Sequence, residues 1–362
     1  MNAEPRLAAL RRRLATDGLP SMLVTTVSNM RYITGFEGVF DEGINAACLV
    51  TSEHARFYTD RRYSEAAEAA AVGTPWAVRV PETDLYIDVC RECQAEGITQ
   101  LTLETSMPYG RFKFISEQFV GSVKMMDHLI EDIRQVKSAH EIERIESAAA
   151  ITDAAFEHIC GFVAAGMTER DVALELEFWM RKNGSQGLAF DPIVASGPNS
   201  ARPHASVSDR VIEKGDFLKL DFGARVGAYC SDMTRTVAIG TAGDRQREIH
   251  AAVLAANRAG VAAVKPGVTG KDVDAVARAV LNDLGYGEYF THGLGHGVGL
   301  DVHELPGLSM KSHDSLRAGC VVTVEPGVYL PGFGGVRIED LVAVDEGGAR
   351  LLSTAPRDLI EI

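Results

Sequence analysis

The 362-residue chain is long enough for two globular domains, and its composition (46% hydrophobic, 24% charged) is that of an ordinary folded protein. A formal charge of −14 repels phosphate backbones, and the one dense basic cluster, Arg11-Arg12-Arg13, reads as a solvated helix face, so no nucleic-acid partner is expected. No apolar run approaches the roughly 18 residues a membrane span needs, and Met1-Asn2-Ala3-Glu4-Pro5 lacks the basic-then-apolar start of a signal peptide; the expectation is a cytoplasmic chain with no membrane association.

From the start, the pattern alternates between helix and strand. Arg6 to Thr16 predicts a helix, Ser21 to Thr25 and Ala46 to Thr51 predict strands, and Ser64 to Ala71 an alanine-rich helix. Trp76 to Val80, Leu101 to Glu104 and Val123 to Met126 follow as strands separated by helices. Residues 1–128 are therefore expected to form a smaller α/β domain, read as substrate-enclosing or oligomerising. Six scattered cysteines are too irregular for a disulfide framework, and Cys90-x-x-Cys93 falls inside a predicted helix with no second pair, so neither redox nor zinc chemistry is expected there.

A second domain, 129–362, opens with Ser138-x-x-Glu141, a capping-box pattern, and a long amphipathic helix through Ile142, Ile145, Ala149, Phe156, Ile159 and Val163. Then comes Gly166-Met167-Thr168-Glu169-Arg170-Asp171-Val172, with Thr168 placed to cap another helix. About a hundred residues on, after a helix from Arg245 to Val264, the chain repeats it as Gly267-Val268-Thr269-Gly270-Lys271-Asp272-Val273. Gly215 precedes a strand leading to Asp221, and Gly319 precedes one leading to Glu325 at the same offset. Two matches in one order predict a duplicated unit carrying one carboxylate in each copy.

A hairpin symmetric about Val226-Gly227 would set Asp221 directly opposite Asp232. Like charges so placed are destabilising unless a cation lies between them or one is protonated. In the second copy Glu325 ends one strand and Glu339 lies in the next, expected from Val336 to Val344, with Arg337 on the face of Glu339 by period-two alternation. Between these pairs, Thr291 to His303 holds three of the ten histidines and four glycines, too many glycines for a helix and expected to let the backbone bend towards a ligand. Four carboxylates and an imidazole suit two divalent ions such as Mn²⁺, Co²⁺ or Zn²⁺.

Leu220-Asp221-Phe222-Gly223, Ser231 to Thr236, His292-Gly293-Leu294-Gly295-His296, Val324-Glu325-Pro326-Gly327 and Val336 to Asp340 resemble the motifs of the pita-bread-fold metallopeptidases, most closely prolidase (Xaa-Pro dipeptidase) and aminopeptidase P. The resemblance implies a pseudo-twofold duplicated α/β domain with a dinuclear centre, Mn²⁺ foremost, and a homodimer. It implies that Asp232 and Glu339 bridge the ions, that Asp221 completes one, and that His296 and Glu325 complete the other. His204, His292, His303 and Arg337 match outer residues of the site. In the mechanism that follows, Glu325 carries the proton, His204 or His303 stabilises the oxyanion, and His292 holds the substrate's carbonyl or proline end. The expected substrate is a short peptide cleaved between its N-terminal residue and proline, with the dipeptidase preferred over the aminopeptidase. A metal-free binding module and a creatinase-like hydrolase are the alternatives, disfavoured by the intact ligand set.

Overall fold

A computed structural model describes residues 3–41 and 43–362 and separates the chain into two units, Met1–Arg134 and Gln135–Ile362. The first runs α1 (Glu4–Thr16), β1 (Ser21–Val24), α2 (Val27–Thr34), β2 (Ala46–Thr51), β3 (Ala55–Thr59), α3 (Ser64–Ala71), β4 (Ala77–Arg79), α4 (Leu85–Ala95), β5 (Gln100–Glu104), α5 (Tyr109–Gln118), β6 (Ser122–Met126) and α6 (Glu131–Arg134). Its six strands form one mixed sheet in the order β4-β3-β2-β1-β5-β6. Leu23, Leu49, Leu101 and Leu103 pack against Val89, Cys93 and Ile115, which is why the apolar strands and the helices between them were visible as pattern. Cys90 and Cys93 lie on α4, buried and unpaired.

One reading is refined in this unit, and one helix was not expected. In the basic triplet Arg12 is exposed and Arg13 partly so, pairing with Asp17 and Asp132 at the surface, while Arg11 is half-buried and its Nε donates to the Thr51 carbonyl (2.9 Å). Helix α2 gave no local start signal. Its N-cap Thr26 makes no side-chain cap; instead the amides of Thr25 and Thr26 donate to Glu104 Oε2 (2.6 and 2.9 Å), a cap delivered from β5 some 80 residues away in sequence.

The second unit is built twice. Its first half has α7 (Ala139–Phe162), α8 (Glu169–Lys182), β7 (Ile193–Ser196), β8 (Phe217–Phe222), β9 (Arg225–Val226), β10 (Tyr229–Cys230) and β11 (Met233–Ala238). Its second half has α9 (Asp244–Ala263), α10 (Gly270–Asp283), β12 (Gly295–Gly297), β13 (Glu304–Leu308), β14 (Val321–Val324), β15 (Gly327–Leu330), β16 (Gly334–Arg337), β17 (Asp340–Asp345) and β18 (Gly348–Leu351). Glu141 reaches back to the Ser138 amide (2.9 Å) at the start of α7. Thr168 and Thr269 each accept the amide of an aspartate three residues on, both at 3.1 Å.

The two copies share backbone detail as well as order. Gly166 donates to Ile212 and Gly267 to Leu316; Gly215 donates to Ile239 and Gly319 to Val344. All four glycines have positive φ, with Gly215 and Gly319 both at 90°, a conformation that side chains with a Cβ resist. Each half also has its own core. Phe156, Val172 and Leu176 pack on Leu218, Leu220 and Phe222; Val253, Val273 and Ala277 pack on Val322, Val324 and Val342. Strand alternation then turns Lys219 and Asp221 to the opposite, equally buried face, where the two halves meet.

The register of the first hairpin differs from the expected one. Val226 pairs with Tyr229, so the two-residue turn is Gly227-Ala228, both at positive φ (55° and 70°), the signature of a type I′ turn whose twist suits a hairpin. Asp221 therefore faces Thr234, not Asp232. The shift is by two residues, so both aspartates keep the same face, but they are diagonal neighbours and the direct-opposition argument does not hold. The second hairpin is also less regular than expected. Val336 to Val344 is not one strand: it breaks at Ile338-Glu339 into β16, paired with β15, and β17, paired with β14. Glu325 and Glu339 occupy that break, one step beyond the pair Val324↔Asp340.

Candidate active site

The breaks in the two hairpins turn carboxylates inwards around a cavity of about 390 Å³. It is lined by all nine residues singled out in the sequence: His204, Asp221, Asp232, His292, His296, His303, Glu325, Arg337 and Glu339. Phe190, Asp191 and Ile193, from the approach to β7, also line it and were missed, since nothing local marks them as site residues. Tyr329 was missed too; it lies on β15, where alternation from Glu325 could have placed it.

The chemistry of this cluster is that of crowded negative charge. Asp221, Asp232, Arg337 and Glu339 are buried and Glu325 nearly so. Burial first, then repulsion from Glu339, Asp221 and Glu325, holds the Asp232 carboxyl well above the usual range. Burial and the charges of Glu325 and Asp221 push Glu339 up to about 8. Burial would also raise Glu325, but the hydrogen bond and charge of His296, with Arg337 beyond, bring it down to about 2. His296, which burial alone would lower, is raised to about 9 by Glu325 and Glu339. Two cationic side chains do not balance four carboxylates, and the excess negative charge is costly to bury.

Geometry shows what would balance them. Asp232, His296 and Glu339 each offer one ligand atom within 4.8 Å of the others. Glu339 Oε2 accepts from Thr234 (2.7 Å), while Oε1 is buried with no hydrogen-bond partner, which is costly for an anionic oxygen unless a cation meets it. His296 Nδ1 lies 3.1 Å from the Gly297 carbonyl and can keep a proton there, so a cation that displaced the Nε2 proton would meet the Nε2 lone pair beside Asp232 (3.5 Å) and Glu325 (3.3 Å). The donor set fits divalent ions.

Around this centre the other residues are fixed. Arg337 forms an ion pair with Asp221 and also donates to Thr234 (2.9 Å), Tyr329 (3.0 Å) and the Pro203 carbonyl (3.1 Å). His292 has both ring nitrogens engaged, one at Gly293 O (2.7 Å) and one at the Tyr329 hydroxyl (2.8 Å). The His303 ring lies tilted against that of His296, with centroids 4.2 Å apart, and both His204 and His303 are exposed at the cavity rim.

Of the glycines of Thr291 to His303, Gly293 and Gly295 line the cavity, where backbone approaches the space a ligand would fill. None of the four has positive φ. A Cβ on Gly295 would lie 2.1 Å from the Thr323 carbonyl, and one on Gly297 2.3 Å from that of Leu305. They also admit neighbouring backbone, so that His296 can be carried on a strand squeezed between β13 and β14.

Fold and site together define a metal-dependent hydrolase. The sequence profile described as metallopeptidase family M24 matches residues 143–346, and that of the creatinase/prolidase N-terminal domain matches residues 6–136. The chain is 38% identical to the Xaa-Pro dipeptidase of Pyrococcus horikoshii over 346 residues, 95% of each protein. Among solved structures, the Xaa-Pro dipeptidase from Bacillus anthracis matches with a TM-score of 0.94 at 40% identity over 100% of both chains. The X-Pro aminopeptidase from Thermotoga maritima matches with a TM-score of 0.88 at 37% identity, over 98% of this chain and 99% of its own. This chain belongs to metallopeptidase family M24, with a creatinase/prolidase-type N-terminal domain, and membership implies divalent metal ions and peptide substrates.

Proposed function

We propose that the protein is an Xaa-Pro dipeptidase with two divalent ions, Mn²⁺ foremost, held by Asp221, Asp232, His296, Glu325 and Glu339. The unpaired Glu339 Oε1, buried beside Asp232 and His296 Nε2, is the observation that carries the reading. When bound, the ions supply a nucleophile at neutral pH and polarise the scissile carbonyl. Asp221, Asp232, His296, Glu325 and Glu339 would hold the ions between them. Arg337 orients Asp221 through their ion pair.

Glu325, at the cavity wall, takes the proton of the attacking water and returns one to the leaving nitrogen. His204 and His303, exposed at the rim, meet the developing oxyanion. His292, braced by Tyr329, shapes the floor against which the proline end rests. The scissile bond is a tertiary amide with no N–H, so a site that grips through cations and imidazoles loses nothing by its absence. Names of full-length relatives support dipeptidase over aminopeptidase. The proposal includes a homodimer and a cytoplasmic setting.

The assay is Mn²⁺-loaded protein offered Xaa-Pro dipeptides, Xaa-Pro-Yaa tripeptides and a proline-free control. Cleavage confined to the dipeptides is expected; equal cleavage of the control removes proline from the reading, and preference for the tripeptides makes it an aminopeptidase. Asp232→Asn should abolish turnover and lower metal content from two per chain, read by elemental analysis.

A further inference from the structure

His204 approaches the cavity from the loop between β7 and β8, whose only regular piece is the short 3₁₀ turn Gly197–Ala201. Such a segment has no ladder of its own to hold a side chain in place, yet its polar groups are heavily subscribed. Glu169, the first residue of α8 and 0% exposed, accepts from Ser196 N (2.7 Å) and Oγ (2.9 Å), from Asn199 (3.2 Å), and from Ser208 N (3.1 Å) and Oγ (2.6 Å). One carboxylate thus ties the two ends of the His204 loop together.

The middle of the loop is held by a residue of opposite sign. Lys219 on β8 is also 0% exposed and makes no ion pair among the described residues. Its Nζ donates towards three carbonyls of the one loop: Ser200 (3.3 Å), Arg202 and Pro203 (3.1 Å). Its Nζ also lies 5.1 Å from the Tyr329 ring centroid. Arg337 reaches the same Pro203 carbonyl from β16, and Gly335 on that strand donates to Ser200 Oγ (2.8 Å) at a point where any Cβ would press on the Ser200 carbonyl at 2.3 Å.

A buried lysine that makes no direct ion pair is expensive, and an apolar residue would fill this strand position more cheaply. What Nζ does there, and an apolar side chain could not, is gather the carbonyls immediately before His204. We propose that Lys219 is a positioning residue for catalysis, holding the Ser200–Pro203 turn so that His204 stands over the reacting carbonyl. This rests on the reading of His204 as a substrate-contacting group.

The test is a double-mutant cycle in the Mn²⁺-loaded enzyme with an Xaa-Pro dipeptide. Lys219→Met should lower kcat roughly 10- to 100-fold, the size expected for a catalytic group displaced by about an ångström, with KM changed far less and metal content unchanged. In a His204→Ala background the same substitution should cost little, because the group it positions is already gone. Equal losses in both backgrounds would overturn the proposal, and so would loss of metal, which would mean that Lys219 acts on Asp221. Should Lys219→Met not fold, Glu169→Gln loosens the same loop from its other side and must show the same dependence on His204; additivity there overturns the proposal equally. A wild-type protein that cleaves no Xaa-Pro peptide would sink the functional reading itself, a result distinct from either.

Discussion

At the scale of single residues, the site separates groups that hold ions from groups that meet substrate. His303 packs against the His296 ring and stands exposed at the cavity rim, on the side open to substrate. His303→Ala should therefore lower kcat by about 10²-fold or more while metal content stays near wild type; loss of metal would show that its role is structural support of His296. Away from the site, His250 on α9 is buried at 3% exposure, and burial, assisted by Arg235 and opposed by Asp358, lowers its pKa to about 4. A folded-state value below the unfolded 6.5 means that the unfolded chain binds more protons between pH 6.5 and 4. Stability from this group is then complete above that window and is lost as pH falls through it, by on the order of 3 kcal/mol. Urea titrations at pH 7 and pH 4.5 should show a smaller difference for His250→Gln than for wild type.

At the scale of elements, the hairpins decide where the carboxylates point. The turn Gly227-Ala228 places an alanine at φ 70°, a conformation that costs an L residue about 1–2 kcal/mol and glycine almost nothing. Allowing for glycine's greater freedom when unfolded, Ala228→Gly should stabilise by roughly 0.5–1 kcal/mol, seen as a higher urea midpoint with an unchanged slope. That same alanine hid the register. Val226-Gly227 looks the better turn by composition, and only the pairing of Val226 with Tyr229 reveals the slip of two. The face of each aspartate was legible because a slip of two preserves it. The partner was not, because register depends on turn geometry as well as alternation. Much else was readable for equally local reasons: the threonine caps, the repeated glycines, the clustering of histidines. What escaped was set at a distance, as with α2, capped from β5, and with Phe190, Asp191 and Ile193, whose membership of the cavity depends on how β7 is laid beside β8.

At the scale of the whole molecule, the second unit carries two cores and one proposed centre, to which the first half contributes Asp221 and Asp232 and the second His296, Glu325 and Glu339. Ions bound there would link the halves and disfavour unfolding. Free Mn²⁺ at 100 times its Kd should add about 2.7 kcal/mol, and a chelator should remove it, so thermal midpoints with and without chelator ought to differ by several degrees. Unchanged midpoints would mean that the folded chain has no preferential affinity for the ion.

The matched glycines and caps also bear on ancestry. A lone ancestral half could have offered only its own acidic hairpin, so a full coordination sphere would have required two identical copies meeting face to face. Fusion into one chain released the copies from that sameness. One could keep a pair of aspartates while the other acquired longer glutamates and a histidine strand, and an asymmetric peptide could then be bound in a single direction.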